Sequence, residues 1–204
     1  MSDAPVDFGE TTVRIFTPTG GALCDLDVAT HRSYILNGVG DCTFSIAEGD
    51  LKFREENLQF GNIIVIDNTY LPPWVGFIDS VRGRTWNYGK LDVTCVSAET
   101  IFHWRFARPT KHHGSAGDIF NIILHQINNE SRGGIKLFPG EITNSGRGIF
   151  YPLLGRADDI LAFLLRKSRC DYSITPAYAA NGDIQLTANL YSQKGIDTGI
   201  TLET

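Results

Sequence analysis

The residues of this chain that could do chemistry are few and scattered. His112 and His113 are adjacent, and His125 follows twelve residues after His113. A metal centre needs side chains that converge on one point. Adjacent histidines point in different directions, and His125 falls in a stretch with helical spacing. The three read as a solvated loop pair and an ordinary helix histidine. Asp158 and Asp159 form a carboxylate pair in sequence, but neighbours on a helix diverge by about 100° and do not face one site. Their place in the first turn of a helix, where negative charge complements the dipole, accounts for them. Cys170 with His125 would make a thiol–imidazole pair, yet no third group is spaced to orient it. "GVGD" and "GSAG" lack the spacing or the lysine of a phosphate loop. Arg105, Arg108 and Lys111 beside the two histidines offer a basic stretch for nucleic acid or an acidic partner; a solvated loop is the simpler reading. No catalytic residue, metal ligand or cofactor site is therefore expected.

The chain has 204 residues, 42% hydrophobic and 20% charged, which suits a globular protein of one large or two small domains. With 18 basic and 23 acidic residues the formal net charge is -5, against a general nucleic-acid binder. "MSDAPVDFGE" has no basic or apolar leader region, and the longest apolar run, Ile63 to Ile66, is strand-sized. A soluble protein made in the cytosol is expected, with no membrane insertion. Cys24, Cys42, Cys95 and Cys170 are far apart and form no CxxC pair; they read as reduced, mostly buried thiols.

The elements that must position these residues come in two blocks. The first is β-rich. "TTVRIFTP", "ALCDLDV", "DCTFSIAEGD", "FGNIIVIDN", "WVGFIDSVRGR" and "KLDVTCVSAE" read as strands between glycine, asparagine and proline turns. In "DCTFSIAEGD" the alternation puts Cys42, Phe44 and Ile46 inward. Strands at this spacing point to an antiparallel barrel or sandwich. Near Arg105 the character changes: "RFARPTKHHGS", with Pro109 and Gly114 as breakers, reads as a linker or mobile loop. A helix is expected near 116–128, with Ser115 and Asp118 as a capping box and Ile119, Ile122, Ile123 and Ile127 as its apolar stripe. A second is expected near 156–169, acidic at its start and basic at its end. "CDYSITPAY" and "GDIQLTANLYS" read as a hairpin turning at Asn181-Gly182. The expected class is α+β: an antiparallel, barrel-like domain over 1–106, then a smaller domain with two helices and strands over 107–204.

Within the first block, "PPWVGFID" stands out. Pro72-Pro73 stiffens the entry and blocks edge pairing. Gly76 allows a bend or a close approach of another chain segment. Trp74 and Phe77 are an odd number of residues apart and so face opposite ways, one filling the interior and the other free for a neighbouring subunit or domain. A buried strand with one corner glycine explains the same residues. Trp74, Trp86 and Trp104 sit in or beside strands, where large rings anchor packing; stacking on carbohydrate is their other use.

"FGNIIVIDN", "PPWVGFIDSVR" and "GKLDVTCVSAETIFHWR", in that order, resemble the first barrel of phage tail hub proteins. That family includes baseplate hubs of contractile phages, tail-associated proteins of long flexible-tailed phages and the spike base of type VI secretion. The aromatic-x-Gly-x-Ile strand matches at Trp74–Ile78, and the "Glu…Leu…Arg" tail at Glu99 and Arg105. "SAGDIFNIILHQIN" and "ADDILAFLLRKSRCDYSI" resemble the two helices that follow the barrel in that family. The likeness spans about Val6 to Tyr191; at 204 residues the chain is shorter than many hubs, which carry a second barrel and further C-terminal parts. The resemblance implies a non-enzymatic structural protein of a virion tail tip, assembled in the host cytoplasm. It implies self-association into a ring, a trimer by the hub likeness and a hexamer if it is closer to distal tail rings. The implied partners are the tail tube or distal tail protein and a spike, fibre or tape-measure protein, with DNA passing only transiently. Trp74, Gly76, Phe77 and Arg105 are the expected structural or interface residues. A receptor- or carbohydrate-binding tip module, or a tail-associated hydrolase, are the other classes.

Overall fold

The computed structural model describes residues 11–52, 54–79, 84–129, 134–143 and 149–192. They divide into two compact units. One is built from the chain up to Tyr34, Val39–Ala98 and Thr175–Gln185; the other from Ile35–Gly38, Glu99–Ile174 and the chain from Leu186.

The first unit is a sheet of eight strands: β1 (Thr11–Phe16), β2 (Ala22–Leu26), β3 (Thr30–Arg32), β4 (Asp41–Ala47), β5 (Ile63–Asn68), β6 (Trp74–Ile78), β7 (Arg84–Asn87) and β8 (Lys90–Ser97). Its order is β2-β1-β5-β6-β8-β4-β3, with β7 also on β8, and its pairings are antiparallel. The alternation read in β4 holds residue by residue: Cys42, Phe44 and Ile46 are buried and their neighbours exposed. β8 alternates in the same way, burying Leu91, Val93 and Cys95. These side chains meet Val13, Ile15, Leu26, Ile64, Ile66, Trp74 and Ile78 in one core cluster. One core shared by β2 at one end of the order and β4 next to the other end means that the sheet wraps round it. It does not close: among the described residues no ladder joins β2 to β3. Barrel-like thus describes the curl and not a closed cylinder.

Cys42 stands directly across from Cys95 in that core. Burial pushes the Cys42 thiol up to about 12, and burial with the neighbouring Cys42 raises Cys95 as well. Both stay protonated at neutral pH and behave as small hydrophobes.

The second unit contains α1 (Thr100–Trp104), β9 (Phe106–Gly114), α2 (Ala116–Asn129), β10 (Leu137–Ile142), β11 (Ile149–Arg156) and α3 (Ala157–Ser168), and most of β12 (Cys170–Tyr178) and β13 (Ile184–Ser192). The capping box forms as read: the Ser115 N–H donates to Asp118 Oδ2 at 3.0 Å, and the Asp118 N–H donates to Ser115 Oγ at 3.2 Å. Ile119, Ile123 and Ile127 are buried, with Phe120 and Leu124 completing the face and Ile122 at its margin. α3 stops where Arg169 turns left-handed at φ 54° and its N–H donates to the Leu165 carbonyl.

The segment expected as a linker is a strand. β9 pairs antiparallel with β11, from Ile149↔Gly114 to Arg156↔Phe106. Its sequence hides this because it is polar and contains Pro109, which cannot donate to a ladder. The register shifts between Leu153 and Gly155, opposite that proline, and the irregularity absorbs it.

β10 lies parallel to β13, and β12 is the other neighbour of β13. The hairpin turn at Asn181-Gly182 is present; the Gly182 N–H donates to the Ala179 carbonyl at 3.0 Å. The hairpin's tip, Thr175–Gln185, belongs to the first unit. There the Tyr178 hydroxyl donates to Asp67 Oδ2 at 2.8 Å, and the Arg14 guanidinium lies 5.2 Å from the Tyr178 ring centroid. The Ile184 N–H donates to the Gly20 carbonyl at 2.9 Å.

Candidate functional site

Strand β6 answers what "PPWVGFID" is for. All five of its residues are buried. Trp74 and Ile78 turn toward the core cluster, and Val75 and Phe77 turn to the opposite face, as odd spacing requires. Trp74 is 2% exposed and Phe77 0%, so both rings serve the interior of this chain. Trp74 and Gly76 share a face, and the indole lies over the glycine: a Cβ at Gly76 would stand 2.7 Å from Trp74 Cζ3 and closer still to the Val96 carbonyl oxygen. The glycine is there for space. The indole N–H donates to the Ser33 carbonyl at 3.1 Å, and the Tyr34 hydroxyl donates to the Pro72 carbonyl at 2.7 Å. Ser33 lies just past β3, at the far end of the sheet order from β6, so these bonds reach across the wrapped sheet.

Arg105 is a clasp within the second unit. Its Nη1 donates to the Ile127 carbonyl at 3.2 Å and its Nη2 to the Ile135 carbonyl at 2.8 Å. Ile127 is among the last residues of α2, whose carbonyls have no partner within the helix, and a cation is favoured there. The Arg105 carbonyl accepts from the Ala157 N–H at 2.9 Å, where α3 begins. At the same helix start Arg156 Nε donates to Asp158 Oδ1 at 3.0 Å, and His103 Nδ1 lies 2.9 Å from Asp158 Oδ2. Burial resists ionisation of Asp158, but the Arg156 hydrogen bonds and the nearby His103 outweigh it, and the carboxyl is held below the usual range.

No metal-binding group of three or more ligands occurs among the described residues. His125 is exposed and hydrogen-bonded to Asn129, and Cys170 is buried. Asp158 and Asp159 do not converge: Asp158 is engaged with Arg156, and Asp159 is exposed. The side chains of Trp86, Arg108, Lys111, His112 and His113 lie outside the described residues. Trp104 is 43% exposed at the end of α1.

Sequence reasoning missed a groove of about 900 Å³ on the first unit. It lies between the segment before β3 and the outer face of β4 and β8, with Asp27, Asp50 and Asp92 along it and Lys90 at one side. The Ser45 hydroxyl in its floor donates to Asp92 Oδ1 at 2.6 Å. The signal was present in the exposed positions of β4, which the inward pattern draws the eye away from.

No protein-family model matches the chain, and no curated protein matches it. Solved structures do. A chain of the half-lidded Francisella PdpA–VgrG complex superposes with a TM-score of 0.51 at 11% identity, over 97% of this chain and 33% of that one. The lidless form of that complex gives 0.51 at 12% identity, over 93% and 36%. The prophage tail protein gp18 from Listeria monocytogenes EGD-e gives 0.47 at 12% identity, over 86% and 50%. This chain spans between a third and half the length of these structures. What is shared at these identities is the fold, and the likeness to tail-hub and spike-base proteins read from the sequence has its counterpart there.

Three outcomes follow. Gly76→Ala crowds Trp74 and the Val96 carbonyl and is expected to cost about 1–3 kcal/mol in urea denaturation, whereas Gly61→Ala, with open space at its Cβ, tests only a positive-φ position. Arg105→Ala is expected to lower stability by about 1.5–3 kcal/mol, with Arg105→Lys recovering part of it. The stabilisation from the lowered Asp158 carboxyl is present above the ordinary aspartate value, about 3.9, and is lost as pH falls through its lower folded value. The stability gap between the wild type and Asp158→Asn should therefore narrow below about pH 4 in thermal scans.

Proposed function

We propose that this chain is a structural component of a phage or phage-like tail tip. In this reading it forms a ring on the tail axis that joins the tube to a distal spike or fibre protein. The observation that carries the reading is the fold: the likeness to a chain of the PdpA–VgrG complex extends over 97% of this chain. The tail-hub pattern in the sequence supports it, since Trp74–Ile78, Glu99 and Arg105 stand in the family's order. In place of the expected halves 1–106 and 107–204, the first unit, which also takes in Thr175–Gln185, serves as the hub domain and the other unit as the second domain. Copies meet through a heterologous contact that closes by rotation, as a trimer. The tube or distal tail protein lies on one side and a spike, fibre or tape-measure protein on the other. The work is mechanical, no residue acts as a catalyst, and a net charge of -5 suits a passage that must not grip DNA. Trp74, which the alternative sugar-binding reading would need exposed, is buried, so that reading loses the residue.

Gold-labelled antibody against this chain, bound to purified particles and viewed by electron microscopy, tests the proposal. Label confined to the distal end of the tail is the expected result. Intact particles without label, with the protein free in the lysate, would overturn it.

A further inference from the structure

We propose that the groove on the first unit receives an extended peptide segment carrying a lysine or arginine, which adds beside β4. This goes beyond the tail-tip reading and rests only on the first unit's own geometry.

The backbone direction of β4 follows from hydrogen bonds at its two ends. The Ser97 N–H donates to the Gly40 carbonyl at 2.9 Å, and the Glu48 N–H donates to the Gly89 carbonyl at 3.0 Å. Antiparallel ladders alternate, so even-numbered residues of β4 turn their backbone groups to β8 and odd-numbered ones turn away. The Ser33 N–H, donating to the Asp41 carbonyl at 2.8 Å, fits that parity on the β3 side. β3 ends with Thr30 opposite Phe44, while β4 continues to Ala47. On that side the Ser45 carbonyl and the Ala47 N–H have no strand opposite them among the described residues. They are spaced as one residue of an added strand requires.

Charge selects the occupant. Asp27, Asp50 and Asp92 line the groove against Lys90, and Asp27 and Asp50 are exposed. A volume of about 900 Å³ exceeds what one side chain fills, leaving room for several residues. A sugar would favour a large aromatic face to stack on, and the one phenylalanine, tyrosine or tryptophan of the lining, Phe44, is 3% exposed and turned to the core. A peptide satisfies both the strand edge and the carboxylates.

The test uses the full chain and a fluorescein-labelled, acetylated heptapeptide, Thr-Val-Thr-Lys-Thr-Val-Thr, with a second peptide bearing glutamate in place of lysine. In fluorescence anisotropy the lysine peptide is expected to bind about tenfold more tightly than the glutamate peptide. The double variant Asp27→Lys, Asp50→Lys, both sites exposed, is expected to weaken the lysine peptide about tenfold with an unchanged circular dichroism spectrum. Amide exchange at Ala47 is expected to slow when the lysine peptide is bound. Absence of binding by the lysine peptide, equal binding of the two peptides, or indifference to the double charge reversal would each overturn the proposal. Displacement of the lysine peptide by maltohexaose would overturn it in favour of a sugar groove.

Discussion

The indole of Trp74 laid over Gly76 is the contact on which the first unit depends. Residues two apart on a strand share a face, so a large ring at one position needs vacant space at the next. Gly76 supplies it, with no side chain between the indole and the neighbouring β8 backbone. The ring then packs in the core cluster, and its N–H reaches Ser33 just beyond the last strand of the sheet. Two strands, β8 and β4, separate β6 from β3 in the ladder. A bond between their ends forces the sheet to wrap, which explains a curled sheet without a closing ladder. The neighbouring β5 is buried at Ile63, Ile64, Val65 and Ile66, so the middle of the sheet is covered on both faces. At roughly 1.5–3 kcal/mol for each fully buried large apolar side chain, this double burial contributes much of what holds the unit together.

The second unit has its own organising residue. Arg105 holds the end of α2 and Ile135 with its guanidinium and the start of α3 with its carbonyl. Its neighbour along the chain, Phe102, packs edge-on against Tyr172 at 5.5 Å and 90°. Gly140 and Asn189 make a smaller fitting of the same kind, where the side-chain carbonyl of Asn189 accepts from the Glu141 N–H at 2.9 Å in the irregular stretch between β10 and β13.

Much of the fold was legible because burial leaves a periodic trace. β4 and β8 alternate strictly, α2 carries a stripe at helical spacing, and Ser115 with Asp118 marks its start. β9 was not legible, because its pairing comes from β11, far along the chain, while its own residues are polar and include Pro109. The failure of closure was not legible either, since no local pattern says whether two end strands meet. Among the candidate residues, Gly76 and Arg105 could be picked out from their place in the hub-like order of elements. Their reasons could not: one is a steric vacancy beneath a ring two residues away, the other a pair of carbonyls 22 and 30 residues distant. For Phe77, spacing tells which face the ring takes and not what covers that face, which in this chain leaves the ring buried. The groove escaped notice because its carboxylates come from three separate segments.

The proposed role requires that copies of this fold close into a ring on the tail axis. Cryo-electron microscopy of the distal tail of intact particles tests it most directly. The expected result is density for three copies of the curled sheet and its α/β partner arranged about the axis, between the tube and the distal protein. A single copy, or copies placed off the axis on lateral fibres, would contradict it.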